Sequence, residues 1–243
     1  MTSEHECDNL QLPRWGAEQR DRKANVIIAA IKRFAISEIG ESQWIDVGCG
    51  SGRIALHIAP HVKSITGIDP EPWPYWKDYE IQYDNLVFLK QSTKQLPLVN
   101  NSVDVVVCNQ VYEHVDNPEL LISEIYRVLK PGGYCYFAGP NLLFPIEPHV
   151  FWPFIHWLPR KLAINLMRLF RAKIIIDANS TTYWTLKKWF QKFEVLNIVP
   201  DIIKNPDYYG KNNFLWRTLS ILPIQIFKYL AWFSPGFVFI LKK

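Results

Sequence analysis

The sequence lacks the features of a secreted, disulfide-bonded or metal-binding protein. Its few cysteines form neither pairs nor clusters; they are Cys7, Cys49, Cys108 and Cys135. This spacing fits neither a disulfide framework nor a zinc site, and it indicates reduced thiols in the cytosol. Residues 1–8 are acidic and lack the basic and then apolar segments of a secretory signal peptide. We therefore expect a cytoplasmic protein.

The sequence also lacks a continuous apolar run long enough for a transmembrane helix. Spanning a bilayer takes about 20 consecutive apolar residues. The most apolar stretch, residues 214–233, is broken by Arg217, Pro223 and Lys228. We predict a chain that lies on a membrane surface or binds an apolar acceptor, and that does not cross the bilayer.

A glycine-rich turn follows the first predicted strand, near residues 44–47. Three glycines stand at alternate positions there: Gly48, Gly50 and Gly52. Such glycines let the backbone bend sharply and let a ligand approach the main chain. A dinucleotide-binding turn would have a further glycine where Arg53 stands, so that alternative fits poorly. Asp46 precedes the loop, where it either orients the turn toward a ligand or only caps the next helix.

Two further segments extend this pattern. Residues 62–69 are predicted to form the second strand, which ends in Asp69. In doubly wound sheets an acid here accepts hydrogen bonds from ribose hydroxyls, although Asp69-Pro70 is also an ordinary turn signal. Residues 104–108 read as a buried strand, and a helix that begins at Pro118 ends at a Pro-Gly-Gly turn. Alternating strands and helices predict a parallel sheet covered on both faces.

Together, residues 40–140 resemble the class I S-adenosylmethionine-dependent methyltransferases, and among them the small-molecule "type 11" subfamily, in which a turn like 128–133 precedes the fifth strand. The resemblance implies an α/β fold with a doubly wound, seven-stranded, mostly parallel Rossmann-like sheet in one domain, 1–243, with helical insertions. It implies methyl transfer from S-adenosyl-L-methionine to a small-molecule acceptor. The cofactor-binding residues it implies are Asp46, Gly48, Cys49, Gly50, Asp69, Pro70, Ser92, Thr93 and Asn109.

One position departs from the family pattern. Members often carry an Asp four residues before a Leu-Pro pair, where it meets the adenine amino group. This chain has Ser92 there, followed by Thr93. A hydroxyl can accept a hydrogen bond but lacks the charge that strengthens one, so we expect a weaker adenine contact.

The second part of the chain is basic and aromatic. Residues 151–243 hold 14 Lys and Arg against 4 Asp and Glu, whereas residues 1–150 hold 13 against 19. Six of the ten tryptophans also lie in the second part. A cofactor-binding core does not require this composition, so we look for the acceptor there. The segments 141–182 and 205–234 are then helical insertions on the acceptor side.

Two segments of these insertions, 150–171 and 214–233, suggest contact with a membrane surface. In the predicted helix over 160–171, apolar and basic residues occupy opposite sides: Leu162, Ala163, Leu166, Leu169 and Phe170 against Arg160, Lys161, Arg168 and Arg171. The same pattern also suits a helix that only packs on the core. Nucleic acid is disfavoured as a partner, because the aromatic residues alternate with Leu, Ile and Phe instead of Gly, Asn and Arg.

The acceptor chemistry is open between oxygen and carbon. A hydroxyl acceptor needs a general base, and His114 and His149 are the candidates, each equally compatible with a structural role. Gln110, Glu113 and His114 resemble a metal-binding Glu, Glu and His cluster of ubiquinone-pathway O-methyltransferases, but Gln110 replaces the first acid, so we expect no metal. Two alternatives stay open: an RNA-modifying methyltransferase, and a catalytically silent cofactor-binding module.

Overall fold

The computed structural model describes residues 16–147, 150–172 and 178–243. Within these ranges the strands are β1 (Gln43–Val47), β2 (Ser64–Asp69), β3 (Leu86–Lys90), β4 (Val103–Asn109), β5 (Leu129–Pro140), β6 (Glu194–Asn197) and β7 (Gly236–Lys242). They form one seven-stranded sheet in the order β3-β2-β1-β4-β5-β7-β6. Neighbours pair in parallel except β7, which runs antiparallel to both β5 and β6. The doubly wound, mostly parallel α/β sheet predicted from the sequence is confirmed.

The same ranges contain nine α-helices. They are α1 (Ala17–Phe34), α2 (Arg53–Ile58), α3 (Trp76–Gln82), α4 (Pro118–Val128), α5 (Arg160–Leu169), α6 (Tyr183–Trp189), α7 (Val199–Lys204), α8 (Phe214–Ile221) and α9 (Ile224–Tyr229). Helix α4 begins at Pro118 as predicted, and the Asn117 side chain caps it by accepting the Leu120 N–H at 3.0 Å. Among the described residues, no helix has both the length and the apolar composition that crossing a membrane requires.

Alternation of side chains along the central strand β4 divides the core into two layers. Val105 and Val107 pack in the layer that contains α1 and α3, whereas Val106 and Cys108 pack in the layer that contains α4 and α6. All four side chains are fully buried, as expected for a strand with helices on both sides. The helices therefore hold the strand ends in fixed positions.

The strand order reverses at β1. From β1 the sheet extends through β2 and β3 on one side, and through β4 and β5 on the other. In doubly wound folds, ligands bind in the crevice at the carboxyl ends of the strands where this reversal occurs. The glycine-rich turn starts at the end of β1 and lies at this point.

Some predicted boundaries differ in the structure. Apolar residues recur at helical spacing over 18–39 and predict a helix there, and in the structure this helix ends at Phe34. The sequence also predicts a sixth strand over 193–199. In the structure this strand, β6, is shorter, because α7 begins at Val199, whose N–H is accepted by the Asn197 side chain at 3.0 Å. The apolar stretch 214–233 forms two short helices, α8 and α9. Pro223 at their junction lacks the N–H that a continuous helix would need.

Candidate functional site

The loop between β1 and α2 is bent by glycines in the left-handed backbone region. Gly50 (φ 50°) and Gly52 (φ 83°) both have positive φ values, which residues with a Cβ adopt at a cost. A Cβ on Gly52 would lie 2.5 Å from the Phe88 ring, whereas a Cβ on Gly50 would meet nothing within 4 Å. Packing therefore requires Gly52, while Gly50 leaves open space against which a ligand can lie.

Asp69, at the end of β2, is held by the backbone around this loop. Its Oδ2 accepts the Gly50 N–H at 2.9 Å, and its Oδ1 accepts the Glu71 N–H at 3.0 Å. An ionised carboxylate offers about four acceptor positions, so two remain for further donors. The Trp76 indole donates to the Gly50 carbonyl at 2.9 Å and fixes the loop from its other side. This arrangement suits two hydroxyl donors such as those of a ribose.

Asp46 and Asn109 place two buried acceptors at neighbouring strand ends. Asp46 is 2% exposed, and neither its Oδ2 nor the buried Oδ1 of Asn109 has a hydrogen-bond partner within the described part of the chain. Burial, and then the charge of Asp69, raise the pKa of the Asp46 carboxyl to about 8. Buried acceptors without donors are rare in folded proteins, so these two indicate a site for a ligand that carries hydrogen-bond donors.

The methionine end of S-adenosylmethionine fits these acceptors. Its α-ammonium carries three N–H donors and a positive charge, so it can satisfy the oxygens of Asp46 and Asn109. A cation beside Asp46 also favours the ionised carboxylate, which the apolar surroundings disfavour. The ribose hydroxyls would then take the remaining acceptor positions of Asp69. The residues present therefore fit this cofactor.

The other predicted cofactor residues have varied surroundings. Pro70 and Ser92 are exposed, and the Ser92 hydroxyl accepts the Lys94 N–H at 3.2 Å. Thr93 is buried. The Cys49 thiol is buried as well, and this burial raises its pKa well above the ordinary value, so the thiol stays neutral. Contact of Ser92 and Thr93 with adenine stays a prediction.

Helix α1 is tied to the glycine loop by contacts that the sequence analysis missed. Arg53, which replaces the third glycine of a dinucleotide motif, makes a two-pronged ion pair with Asp21 at 2.8 and 2.9 Å. Arg20 also donates to the Ser51 hydroxyl at 3.0 Å. Arg20 and Asp21 resemble ordinary surface charges in the sequence, so no signal there marks this contact. Helix α1 thus helps to hold the loop in its bent form.

Of the two histidines predicted as candidate bases, the structure describes only His114. His149 lies outside the described residues. The His114 side chain is 40% exposed after β4, and its Nε2 lies 4.0 Å from Oε1 of Glu113, which is fully buried. Across the described ranges, no three His, Cys, Asp or Glu side chains come together as a metal site requires. His114 therefore stays a candidate whose imidazole is partly open to solvent.

Part of the chain, with its fold and this site, is similar to methyltransferases. Residues 45–137 match the model of a protein family described as "Methyltransferase domain". The matched residues run from β1 into β5 and include the glycine loop, Asp69 and Asn109. This match agrees with the S-adenosyl-L-methionine cofactor that the sequence predicts.

Two curated relatives are each similar to part of the chain. A ubiquinone biosynthesis O-methyltransferase of Vibrio atlanticus is 32% identical over 101 residues, 40% of this chain and 43% of the relative. The human thiol S-methyltransferase TMT1A is 31% identical over 127 residues, 49% of this chain and 51% of the relative. The chain therefore spans about half, or less, of the length of the curated relatives it matches. Both names agree with a small-molecule methyltransferase and differ in the acceptor atom.

A solved structure with a similar fold is described with a different reaction. The [4+2]-cyclase SpnF superposes with a TM-score of 0.56 at 18% sequence identity, covering 92% of this chain and 80% of that chain. At this identity the likeness shows the fold only. Because that protein is described as a cyclase, the reaction must be argued from the site and its surroundings.

Proposed function

We propose that the protein transfers the methyl group of S-adenosylmethionine to an oxygen or carbon atom of a lipid or a lipid-linked small molecule. In this proposal two segments rest on a membrane surface, where such acceptors occur. They are the first apolar segment (150–171) and the second apolar segment (214–233). The observation that carries the proposal is the amount of apolar surface that these segments expose.

The second apolar segment exposes apolar residues on most of its surface. No residue of α8 or α9 is buried. Phe214 is 85% exposed, Ile221 80% and Tyr229 79%. Trp216 of α8 packs against the core, but most of the other apolar residues of the two helices are exposed. Single exposed apolar residues are common on soluble proteins, whereas two successive helices with this much exposed apolar surface are not. Exposed apolar surface on this scale favours contact with an apolar phase.

The first apolar segment adds a second such surface. Helix α5 buries Ala163 and Met167, whereas Leu162 and Leu169, predicted to share the side of Ala163, are 53% and 75% exposed. Phe151 is 65% exposed, and its φ of 55° lies in the left-handed region, which costs about 1–2 kcal/mol. Backbone strain of this kind is maintained where a function requires it. Here it presents an aromatic ring to the outside.

The charge of both apolar segments suits anionic lipids. Neither segment contains Asp or Glu. Their exposed cations include Arg160, Lys161, Arg168, Arg217 and Lys228. Each such residue near an anionic membrane surface contributes about 1 kcal/mol to binding. The same charges would also attract RNA, so the experiment must separate the two partners.

The chain's own contribution to the reaction is positioning. S-adenosylmethionine supplies an electrophilic methyl group when it is bound, so the protein mainly has to orient the two reactants and exclude water. Asp46 and Asn109 would hold the methionine end, and Asp69 the ribose. Because Asp46 is buried, its charge would act with little solvent screening.

Liposome flotation tests the membrane contact. We expect the protein to float with vesicles of phosphatidylcholine and phosphatidylglycerol, and less with phosphatidylcholine alone. Each of Phe214→Ser and Ile221→Ser should weaken binding about tenfold, because an inserted side chain of this size contributes about 1.5–3 kcal/mol. Ile81→Ser is the matched control, since Ile81 is 82% exposed on α3, outside both segments. Equal flotation of all variants, or retention on RNA instead of vesicles at physiological salt, would contradict the proposal.

Methyl transfer is tested with radiolabelled S-adenosylmethionine and a total bacterial lipid extract. We expect label in the organic phase, and its loss with Asp69→Ala. If the protein binds S-adenosylhomocysteine but labels no lipid, the lipid acceptor is wrong. If it labels no water-soluble acceptor either, a catalytically silent module is favoured.

A further inference from the structure

A hollow lies beyond the carboxyl end of β5, outside the candidate cofactor site. It has a volume of about 220 Å³, is partly open to solvent, and is lined by Leu142 and by residues of the ranges 155–163 and 178–180. A water molecule takes about 30 Å³ in the liquid, so the hollow has room for a small organic group. Its walls come mainly from the first apolar segment.

The walls of this hollow are fastened to the turn that follows β4. The Asn179 N–H donates to the Glu113 carbonyl at 2.8 Å, and the Thr181 N–H donates to the Tyr112 hydroxyl at 3.3 Å. The Tyr112 hydroxyl in turn donates to the carbonyl of Pro140, the last residue of β5. The hollow therefore sits at the same edge of the sheet as Asn109, where an acceptor belongs.

His156 lines this hollow, and one of its ring nitrogens has no hydrogen-bond partner in the part of the chain that the structure describes. Its Nε2 lies 3.1 Å from the Leu142 carbonyl oxygen. A carbonyl cannot donate, so Nε2 carries the hydrogen, and in the neutral ring Nδ1 is a bare acceptor. Nδ1 is buried and has no hydrogen-bond partner among the described residues. A buried acceptor of this kind requires a donor, which water or a ligand hydroxyl can supply.

The surroundings of His156 favour an amphiphilic ligand over water alone. Ile155, Leu158 and Ala163 provide apolar walls, and Arg160 joins Asn179 at 3.2 Å (Nη1 to Oδ1) at the polar end. Trp157, which follows His156, is 49% exposed and belongs to the first apolar segment. A polar nitrogen at one end and an apolar surface at the other match a molecule with a hydroxyl group on a hydrocarbon body.

We propose that this hollow binds the hydroxyl-bearing end of an amphiphilic acceptor, and that the hydroxyl donates its hydrogen to Nδ1 of His156. The inference rests on the proposed function and deepens it, because it assigns a substrate-binding residue in the first apolar segment. The hydrocarbon part of the acceptor would lie along the exposed side chains next to Trp157. The acceptor class is thus a lipid-like alcohol or phenol.

Binding of 4-heptylphenol to the full chain, without cofactor, tests this assignment, with 4-heptylanisole as a probe that lacks the hydroxyl donor. We expect calorimetry to show about tenfold tighter binding of the phenol to the wild-type protein, because a buried acceptor is left unpaired with the anisole. His156→Phe should remove this preference and leave anisole binding unchanged. His156→Asn, which keeps an acceptor near Nδ1, should restore part of it. His61→Phe is the matched control, since His61 lies before β2, at the opposite edge of the sheet.

Nitrogen-15 NMR of the histidine side chains measures the chemical shift of Nδ1, which a purely structural role of His156 would leave unchanged on ligand addition. We expect the Nδ1 signal of His156 to shift on addition of the phenol, and not on addition of the anisole. Equal affinities for both probes, or a phenol preference that survives in a folded His156→Phe protein, would overturn the inference and leave the membrane and cofactor tests unaffected. Failure of S-adenosylhomocysteine binding, with the phenol preference intact, would instead overturn the proposed function alone.

Discussion

Binding of S-adenosylhomocysteine at pH 7 should release close to one proton from Asp46. S-adenosylhomocysteine, which remains after S-adenosylmethionine has lost its methyl group, keeps the α-ammonium group. This group can donate hydrogen bonds to the buried oxygens of Asp46 and Asn109. Burial raises the pKa of Asp46 to about 8 in the protein without ligand, so the carboxyl is mostly protonated at neutral pH. A cation beside it favours the ionised form. Ligand binding should therefore drive the proton off.

The size of the effect follows from the pKa. With a pKa of about 8, about nine tenths of the Asp46 carboxyls carry a proton at pH 7. If the bound cation lowers the pKa well below 6, about 0.9 proton is released for each ligand bound. The affinity should then rise about tenfold from pH 6 to pH 7 and level off above pH 8.

Calorimetry in two buffers of different ionisation enthalpy measures the released protons directly. Asp46→Asn should release almost none, and should bind about 10- to 100-fold more weakly, because it loses a charged hydrogen bond. Asp104→Asn is the control, since Asp104 pairs with Lys130 at the opposite end of β4 and should behave as wild type. If wild type releases no proton at pH 7, or Asp46→Asn releases as many, the ionisation is not at Asp46 and the reasoning is refuted.

Three further predictions concern stability and ligand binding. The folded-state pKa of Asp46, about 8, lies above its ordinary value of 3.8, so the stability of the ligand-free protein falls as pH rises from about 4 to about 8. The Tm difference between Asp46→Asn and wild type, measured in thermal scans, should therefore increase from pH 5 to pH 8. A Tm difference that does not change with pH would contradict this prediction. Gly52→Ala should lower the free energy of unfolding, measured in urea, by about 2–4 kcal/mol, because the cost of a left-handed φ and the cost of overpacking against Phe88 add up. Gly50→Ala should cost only about 1–2 kcal/mol yet weaken S-adenosylhomocysteine binding, and normal binding would show that this open space is not used.

The sheet and the cofactor side of the site were predictable because their signals are local. A short apolar strand, a glycine turn and a helix follow one another directly, and Asp69 ends the next strand. The residues on which the prediction rests then lie at strand ends whose positions the parallel topology fixes. Asp46, Asp69 and Asn109 accordingly lie at or next to the carboxyl ends of β1, β2 and β4, and their roles toward the cofactor stay predictions.

The acceptor side was less predictable, because its features depend on residues distant in sequence. Helical periodicity showed which side chains of α5 share a side, but tertiary contacts decide that Ala163 is buried and Leu169 is exposed. The pair of Arg53 and Asp21 joins residues 32 positions apart. Likewise, His156 Nε2 donates to the carbonyl of a residue 14 positions earlier in the chain, and this hydrogen bond leaves Nδ1 without a hydrogen and, among the described residues, without a partner. None of these contacts has a pattern in the sequence.

The position of β7 has a consequence for how the protein is made. Strand β6 lies at the sheet edge and pairs with β7, which inserts antiparallel between β5 and β6. On the ribosome, β6 emerges well before β7, with the second apolar segment between them. The nascent chain must therefore expose the edge of β6 that later pairs with β7 and, at the same time, the second apolar segment. Early contact with a bilayer or a chaperone would shield both until translation supplies the missing neighbour.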